Sequence, residues 1–182
     1  ADWRKIFKLA IKDGHAEIIG YLDNTEVVEI PEKIGKNMVA GIRWNVFREN
    51  RKITGMIVPK TVTDIAVGAF KGCTGLQDER GFVIINGCIY DYFGKEAVVD
   101  IPDGTTKIDG VAFWNHKEIE KVNIPDSVKE IGCGAFGRCH GLADQDGFVI
   151  IRNTLHDYSG ASKSIVVSDG VEEISGDAFI DI

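Results

Sequence analysis

Short runs of alternating apolar and polar residues, each closed by a proline, recur along the chain. The clearest run is Val-Asn-Ile at 122–124, followed by Pro125. A period of two is typical of a strand with one buried face, and proline ends a strand because it has no backbone N–H to donate. Val128 and Ile131 then return the chain to the core. The pattern therefore predicts one short strand and one turn in each unit.

An Ala-Phe pair marks the end of each unit. The pairs are Ala69-Phe70, Ala112-Phe113, Ala135-Phe136 and Ala178-Phe179, with Val46-Phe47 as a looser copy. Their phenylalanines are 23, 43, 23 and 43 residues apart. A unit this short cannot hold itself closed, so the periodicity predicts stacked coils in which each apolar row covers the next and the phenylalanines form the spine of the core.

The longer spacing contains a second repeat, which predicts β-hairpins between the coils. The run Gly-Phe-Val-Ile-Ile occurs at 81–85 and again at 147–151. Asn86-Gly87 follows the first of these runs. This dipeptide between β-rich segments is the strongest short-range signal for a two-residue hairpin turn.

The amino-terminal segment is predicted to be a further copy of the hairpin. Tyr21 lies ten residues before Pro31, a spacing repeated in the later copies, and this places the turn at Asp13-Gly14. Residues 3–11 taken alone fit either a helical stripe or one face of a strand; we interpret them as a strand because the later copies are hairpins. The first repeat is five residues longer around 35–37, which predicts a surface loop.

The repeat has a recognisable form. Residues 119–139 read I-x-x-V-x-I-P-D-S-V-x-x-I-G-x-G-A-F-x-x-C, which closely resembles the BspA-like (Treponema-type) leucine-rich repeat. The segment F-V-I-I-N-G-x-I-x-D-Y at 82–92 resembles hairpins interspersed among the repeats of some members. The resemblance covers residues 16–182. The chain departs from the repeat pattern at Val46 and Ser168. It implies a mainly β fold: a curved leucine-rich-repeat solenoid with a parallel sheet on its concave side, interspersed β-hairpins and little helix.

The repeat boundaries predict a single solenoid over 1–182. Its predicted segments are an N-terminal hairpin or cap (1–27), repeats one and two (28–76), a hairpin insert (77–98), repeats three and four (99–142), a second hairpin insert (143–164) and a truncated fifth repeat (165–182). The chain stops within a unit, and terminal coils normally need a polar cap. We therefore expect either a longer protein or end-to-end self-association of two chains.

Composition and charge narrow the class of partner. The chain has 182 residues, with 21 Lys and Arg against 28 Asp and Glu, for a net charge of −7. This balance argues against nucleic acid, which needs a basic face. Apolar residues make up 44% of the chain, enough for a core, but no apolar run approaches the roughly 18 residues of a membrane span. We expect no membrane insertion.

One stretch superficially matches a dinucleotide-binding motif. Residues 132–137 read G-x-G-x-x-G, but that fingerprint requires a strand–turn–helix context. The equivalent positions of an earlier copy are Ala66, Gly68 and Lys71, so two glycines disappear while the repeat persists. The glycines are therefore interpreted as part of the repeat turn, and no cofactor is predicted.

The cysteines and histidines show no catalytic or metal-binding spacing. Cys73 and Cys139 stand three residues after a phenylalanine in their repeats, which predicts buried, free thiols. The pairing state of Cys88 and Cys133 is left open by the sequence. The four histidines lack an H-x-x-x-H spacing, and a zinc site needs three or four converging ligands. No metal site and no catalytic residue are predicted, although a Cys–His pair is a spatial arrangement that spacing alone does not test.

The predicted binding surface consists of the strand side chains that point away from the core. One row contains Glu29, Ile57, Asp100, Asn123 and Val166, and the row beside it contains Val27, Gly55, Val98, Lys121 and Ser164. Solenoids commonly bind through such a surface, so we expect these rows to form a groove for an extended protein ligand. Three tryptophans that do not recur in register, Trp3, Trp44 and Trp114, are further candidates for an exposed contact.

The resemblance implies a function class as well as a fold. Members of the family are mostly bacterial surface or secreted proteins linked to adhesion and protein binding. It therefore implies a non-enzymatic, adhesion-type binding module at the cell surface or secreted, with a protein ligand such as an extracellular host or matrix protein. The alternatives are a structural spacer that positions other domains and, ranked last, an enzyme with a site assembled across coils.

Overall fold

The computed structural model describes residues 2–162 and 164–180. In this part of the chain the fold is a β-solenoid of stacked coils, mainly β with little helix, as predicted. The chain divides into two compact units, Ala1–Phe93 and Gly94–Ile182. The predicted single solenoid over 1–182, with its segment boundaries, stays a prediction.

The first unit contains one short helix and nine strands in its described residues. They are α1 Trp3–Ile6, β1 Phe7–Lys12, β2 His15–Tyr21, β3 Val27–Glu29, β4 Lys33–Ile34, β5 Asn37–Ile42, β6 Gly55–Ile57, β7 Asp64–Ile65, β8 Phe82–Ile85 and β9 Cys88–Tyr92, with a 3-10 turn at Thr74–Leu76. A five-stranded sheet combines the antiparallel pairs β1–β2 and β4–β5 with the parallel pairs β2–β5 and β5–β7. β3 pairs with β6 in parallel, and β8 pairs with β9 as an antiparallel hairpin.

The second unit repeats the same components. Its strands are β10 Val98–Asp100, β11 Lys107–Ile108, β12 Lys121–Asn123, β13 Glu130–Ile131, β14 Phe148–Ile151, β15 Thr154–Tyr158 and β16 Glu173–Ile174, with a 3-10 turn at His140–Leu142. The pairs β10–β12, β11–β13 and β15–β16 are parallel, whereas β14–β15 is an antiparallel hairpin.

Three coils turn at a predicted proline, namely Pro59, Pro102 and Pro125. The N–H of Val128 donates to the carbonyl of Pro125 over 3.1 Å, and Val62 makes the same bond to Pro59 over 3.0 Å. In the last coil Val171 donates to Ser168 over 3.4 Å. The turn therefore survives without its proline, because the bond uses the carbonyl of that residue and not its ring.

The predicted hairpin turns at Asp13-Gly14 and Asn86-Gly87 are confirmed. Both pairs have φ values of 50° and 77°, the left-handed conformation that a two-residue turn between twisted strands requires. The third hairpin turns at Arg152-Asn153, with φ values of 49° and 65°. This turn adopts the same conformation without a glycine.

In the second and third hairpins, a bulge at the same place brings one side chain into the core. In the second hairpin, Val83 pairs with Asp91 and Ile84 with Ile89, so Tyr90 is the extra residue. In the third hairpin the extra residue is His156. A bulge re-aims the side chain of the extra residue, and both Tyr90 and His156 are buried.

One sequence-based expectation was wrong. Residues 3–11 were predicted to be a strand, but the strand begins only at Phe7, and Trp3–Ile6 form a helical turn in which Lys5 N–H donates to Asp2 over 3.0 Å. The apolar residues of that turn pack against the core, which favours the helical stripe there. The surface loop expected around 35–37 is the exposed turn of the β4–β5 hairpin, in which Ile34 pairs with Asn37. Pairing with β2 stabilises β5, because it satisfies backbone groups that a loop would leave to solvent.

Stacked aromatic rings form the core of each unit. In the first unit the rings of Phe47 and Phe70 lie 5.4 Å apart at an angle of 3°. In the second unit Phe113 and Phe136 lie 5.1 Å apart at 6°. These four phenylalanines are fully buried, as the repeat predicted. Phe179 is only half-buried and packs against Tyr158 at 5.9 Å.

Candidate functional site

The predicted surface row of the first unit lies on β3 and β6. The parallel register places Val27 beside Gly55 and Glu29 beside Ile57, and Ile30 N–H donates to the carbonyl of Ile57 over 2.9 Å. Side chains alternate along a strand, so the intervening Val28 is buried while Glu29 and Ile57 face solvent. We call Val27, Glu29, Gly55 and Ile57 the Ile57 patch.

The Ile57 patch is predominantly apolar although it faces water. The side chain of Val27 is 60% exposed and that of Ile57 is 56% exposed. Gly55 has no side chain, and a Cβ there would lie 3.3 Å from a methyl group of Val27. Val27 therefore lies over the glycine backbone. Two aliphatic side chains with one carboxylate beside them, fixed on paired strands, can contact an apolar side chain of another protein.

The equivalent surface of the second unit lies on β10 and β12 and is polar. The register pairs Val98 with Lys121 and Asp100 with Asn123. The amide of Asn123 donates to the Asp100 carboxylate over 2.6 Å. We call these four residues the Asn123 patch. Its carboxylate already accepts a bond from a neighbouring side chain, so this patch offers ordered polar groups and one cation at Lys121.

Val166 lies outside any strand of the structure. Its side chain is 83% exposed, as expected for a surface position, but the segment around it forms no strand. The structure thus brings Glu29 together with Ile57, and Asp100 together with Asn123, and it gives Val166 no strand partner among the described residues. The binding role of all six predicted residues, which include Lys121, stays a prediction.

Among the three tryptophans, Trp44 is the exposed one. Its side chain is 68% exposed. Trp3 stacks on Phe7 with the ring centroids 6.2 Å apart, and Trp114 lies under the guanidinium of Arg138 at 5.5 Å. These contacts give Trp3 and Trp114 structural roles.

The glycines at 132–137 serve the packing of the coil. A Cβ at Gly132 would lie 2.5 Å from the backbone nitrogen of Gly110, and one at Gly137 would lie 2.3 Å from the ring of Trp114. Residues 133–138 form turns, not the start of a helix. The strand–turn–helix context of a dinucleotide site is therefore absent from this described stretch.

The predicted free, buried thiols of Cys73 and Cys139 are confirmed. Cys73 Sγ donates to the carbonyl of Phe47 over 2.9 Å, and Cys139 Sγ donates to that of Phe113 over 2.9 Å. Burial penalises the thiolate and raises the pKa of Cys73 to about 12. Such a thiol is a poor nucleophile because it stays protonated. Cys88 and Cys133, whose state the sequence left open, are also free; Cys88 is buried and Cys133 is exposed.

Sequence reasoning missed a buried carboxylate in each of the last two hairpins. Asp91 is 1% exposed; it accepts a hydrogen bond from Gly72 N–H over 2.8 Å and forms an ion pair with Lys71. Asp157, at the same position of the other hairpin, lies 3.3 Å from His140 Nε2. The repeated Asp-Tyr pairs at 91–92 and 157–158 were the available signal. Each carboxylate binds a side chain of the preceding coil, which is a structural role.

No group of three or more potential metal ligands converges within residues 2–162 and 164–180. In the same residues, no helix has the length and apolar character that crossing a membrane requires.

A protein-family model matches most of the chain. The model describes a BspA type Leucine rich repeat region, and it matches residues 40–144 and 84–182 with six copies of the repeat. No curated protein sequence is significantly similar to the chain.

Three solved structures resemble the fold. A leucine-rich repeat protein of T. pallidum is 24% identical over 76% of this chain, with a TM-score of 0.48, and one from Bacteroides ovatus is 21% identical over 93%, with a TM-score of 0.46. A leucine rich cell surface protein of Faecalibacterium prausnitzii is 20% identical over 91%, with a TM-score of 0.42. The chain spans 67%, 59% and 63% of the lengths of these three proteins.

Proposed function

The chain belongs to the BspA type leucine-rich repeat family, and from this premise we propose that it is a non-enzymatic, adhesion-type protein-binding module of a surface or secreted bacterial protein. Repeat domains of this kind generally act as protein-interaction modules, and the fold is typically non-enzymatic. The protein ligand that best fits the family is an extracellular host or matrix protein.

The observation that supports this proposal is the Ile57 patch. Val27 and Ile57 are each more than half exposed on strands whose backbone is fixed by pairing. An aliphatic side chain exposed on a rigid strand loses little conformational entropy on binding, and covering it removes apolar surface from water. The neighbouring Glu29 adds one carboxylate for orientation.

The Asn123 patch supplies a second contact of different chemistry. The bond between Asn123 and Asp100 holds both side chains in place, and Lys121 adds a cation on the same strand. Ordered polar groups contribute to specificity more than to affinity. A ligand that contacts this patch would therefore present carboxylate and amide groups.

The proposal is tested with two matched aspartate variants. Ile57→Asp places a charge in the Ile57 patch, whereas Val67→Asp places one at a residue outside the patch with the same 56% exposure in the same unit. Each purified chain is measured by biolayer interferometry against a panel of extracellular matrix proteins, and thermal unfolding checks that both variants are folded.

We expect the unmodified chain to bind at least one panel member. Ile57→Asp should weaken that binding about tenfold or more, because interface centres contain desolvated apolar anchors. Val67→Asp should leave it unchanged. Equal effects of the two variants, or no binding by the unmodified chain, would contradict the proposal; the second result favours a structural spacer that positions other domains.

A further inference from the structure

Strand β1 has an open edge. It is the terminal strand of the five-stranded sheet and pairs only with β2 among the described residues. Lys12 and His15 close the two-residue hairpin and form a hydrogen-bonded pair. Hydrogen-bonded and non-bonded pairs alternate along an antiparallel ladder. The N–H and C=O groups of Ile11 and Leu9 therefore point away from β2, toward the open edge.

This edge differs from the corresponding strands of the other two hairpins. β8 and β14 each have four residues, whereas β1 has six. Each of the three hairpins has a paired Phe and Tyr, and alignment of the hairpins on this pair places Lys8 at the position of Val83 and Val149. Both valines are fully buried, but Lys8 is exposed. The buried valine of the other hairpins is thus replaced in β1 by a lysine that faces solvent.

The open edge is basic although the chain is acidic. Residues 2–12 contain four cationic side chains and one carboxylate, whereas the whole chain carries −7. The carboxylate, Asp2, lies 3.5 Å from Lys5. Arg4, Lys8 and Lys12 have no ion-pair partner within residues 2–162 and 164–180. Lysines on an edge strand repel another basic strand, so this edge disfavours a second copy of β1 and favours an acidic partner.

The two faces of β1 have different chemistry. Lys8, Ala10 and Lys12 lie on one face, and Leu9 and Ile11 lie on the other, because side chains alternate. Ile11 lines a cavity of about 420 Å³ between the α1 segment and the β4–β5 turn. Its lining includes the apolar residues Trp3, Ile11 and Ile34, the basic residues Arg4 and Lys36 and the acidic residue Asp2. Ile11 is 50% exposed at this cavity.

We propose that β1 binds an acidic, extended peptide segment of a partner protein as an added strand. The backbone of the segment pairs with the open groups of Leu9 and Ile11, as in other cases of strand addition. Its carboxylates lie on the face of Lys8 and Lys12, and an apolar side chain enters the cavity beside Trp3. The partner segment therefore alternates acidic and apolar residues. This surface shares no residue with the Ile57 patch.

The probe is a synthetic peptide that alternates Glu and Val over seven residues with blocked ends. A control peptide of the same composition groups the Glu and Val residues in two blocks, and a second control replaces Glu by Lys. Binding to the whole chain is measured by NMR titration, and amide hydrogen exchange is compared with and without peptide. Lys12→Glu tests the edge, and Lys60→Glu is its matched control, because Lys60 is also exposed but lies outside β1.

We expect the alternating peptide to bind and to slow exchange at the amides of Leu9 and Ile11. Lys12→Glu should weaken the affinity about tenfold and raised salt should weaken it further, whereas Lys60→Glu and Ile57→Asp should leave it unchanged. Failure of the alternating peptide to bind, equal binding of the block or Lys peptide, or equal effects of Lys12→Glu and Lys60→Glu would each overturn the proposal. Dimerisation through β1 in light scattering would show that a second copy is the occupant and would also overturn it.

Discussion

The imidazole of His156 meets the ring of Phe136 edge-on, with the ring centroids 5.5 Å apart. In the first unit the phenol ring of Tyr90 occupies the corresponding place against Phe70, at 5.0 Å. The bulge of the second hairpin places Tyr90 in the aromatic stack, and that of the third hairpin places His156 there. The second unit therefore contains an imidazole where the first has a phenol.

The environment of His156 opposes its protonation. The side chain is 1% exposed, and burial lowers the pKa of His156 to about 4 from its ordinary value of 6.5. Nδ1 lies 3.3 Å from the hydroxyl oxygen of Ser175, and Nε2 has no hydrogen-bond partner among the described residues. A proton on this ring would place an unpaired charge in the core.

We predict that His156 makes the folded chain less stable in mild acid. The unfolded chain binds a proton at His156 near pH 6.5, and the folded chain binds it only near pH 4. The contribution of the neutral, buried His156 to the free energy of unfolding is therefore complete above pH 7. It is lost as the pH falls from 6.5 toward 4. The loss approaches about 3 kcal/mol at pH 4. Urea unfolding at pH 7 and pH 5 measures the part of this change that occurs between those values.

The control for this prediction is His156→Tyr, which copies the residue of the first unit. The difference in stability between pH 7 and pH 5 should be smaller in His156→Tyr than in the unmodified chain. His15→Tyr, which changes an exposed histidine, should leave the pH dependence as it was. An unmodified chain and a His156→Tyr variant with the same pH dependence would show that other groups cause it.

We predict that truncation of a stacked phenylalanine side chain causes a large loss of stability. Phe70 is fully buried and contacts the ring of Phe47 at 5.4 Å. Phe70→Ala removes this contact and leaves a cavity, so the free energy of unfolding should fall by about 3–5 kcal/mol. Trp44→Ala, a truncation of an aromatic side chain that is 68% exposed, should cost less than about 1 kcal/mol. Chemical denaturation compares them, and similar losses would contradict the stacking model.

We predict that the nearly isosteric substitution Asp91→Asn strongly destabilises the folded chain, because Asp91 is buried. Asp91→Asn removes the charge paired with Lys71, whose side chain is only 21% exposed. Removing one partner of a buried ion pair leaves the other charge poorly compensated, and we expect a loss of about 3 kcal/mol in the free energy of unfolding.

The matched control is the exposed ion pair of Lys107 and Glu130. These side chains are 42% and 61% exposed, so solvent screens their attraction. Glu130→Gln should change stability by less than about 1 kcal/mol. If denaturation gives the same loss for Asp91→Asn and Glu130→Gln, burial of the first pair is not the cause of its effect.

Local chemistry explains which elements could be predicted. The turns at Asp13-Gly14 and Asn86-Gly87 follow from dipeptides that tolerate positive φ. The burial of Cys73 and Cys139 follows from their common place after a buried phenylalanine. These features depend on neighbours in the sequence or on the period of the repeat, and both can be read without coordinates.

The misassigned segment depends on distant neighbours. Residues 3–6 fit both a helix and a strand, and packing against the core decided for the helix. The surface turn around 35–37 follows from its composition, whereas the strand after it depends on pairing with the backbone of β2. For the candidate surface, the sequence identified Glu29, Ile57, Asp100 and Asn123 as outward positions, but the alternation around Val166 did not produce a strand there.

Spacing and backbone preference were enough to predict, from the sequence, the period of the coils, the turns and the apolar positions that form the spine. The fold alone revealed that His156 enters the core, that Asp91 and Asp157 are buried, and that the edge of β1 is open. A one-residue bulge changes which side of a strand a residue faces, and an edge is defined by the strands that do or do not pair with it. Both depend on contacts between parts of the chain that are remote in sequence.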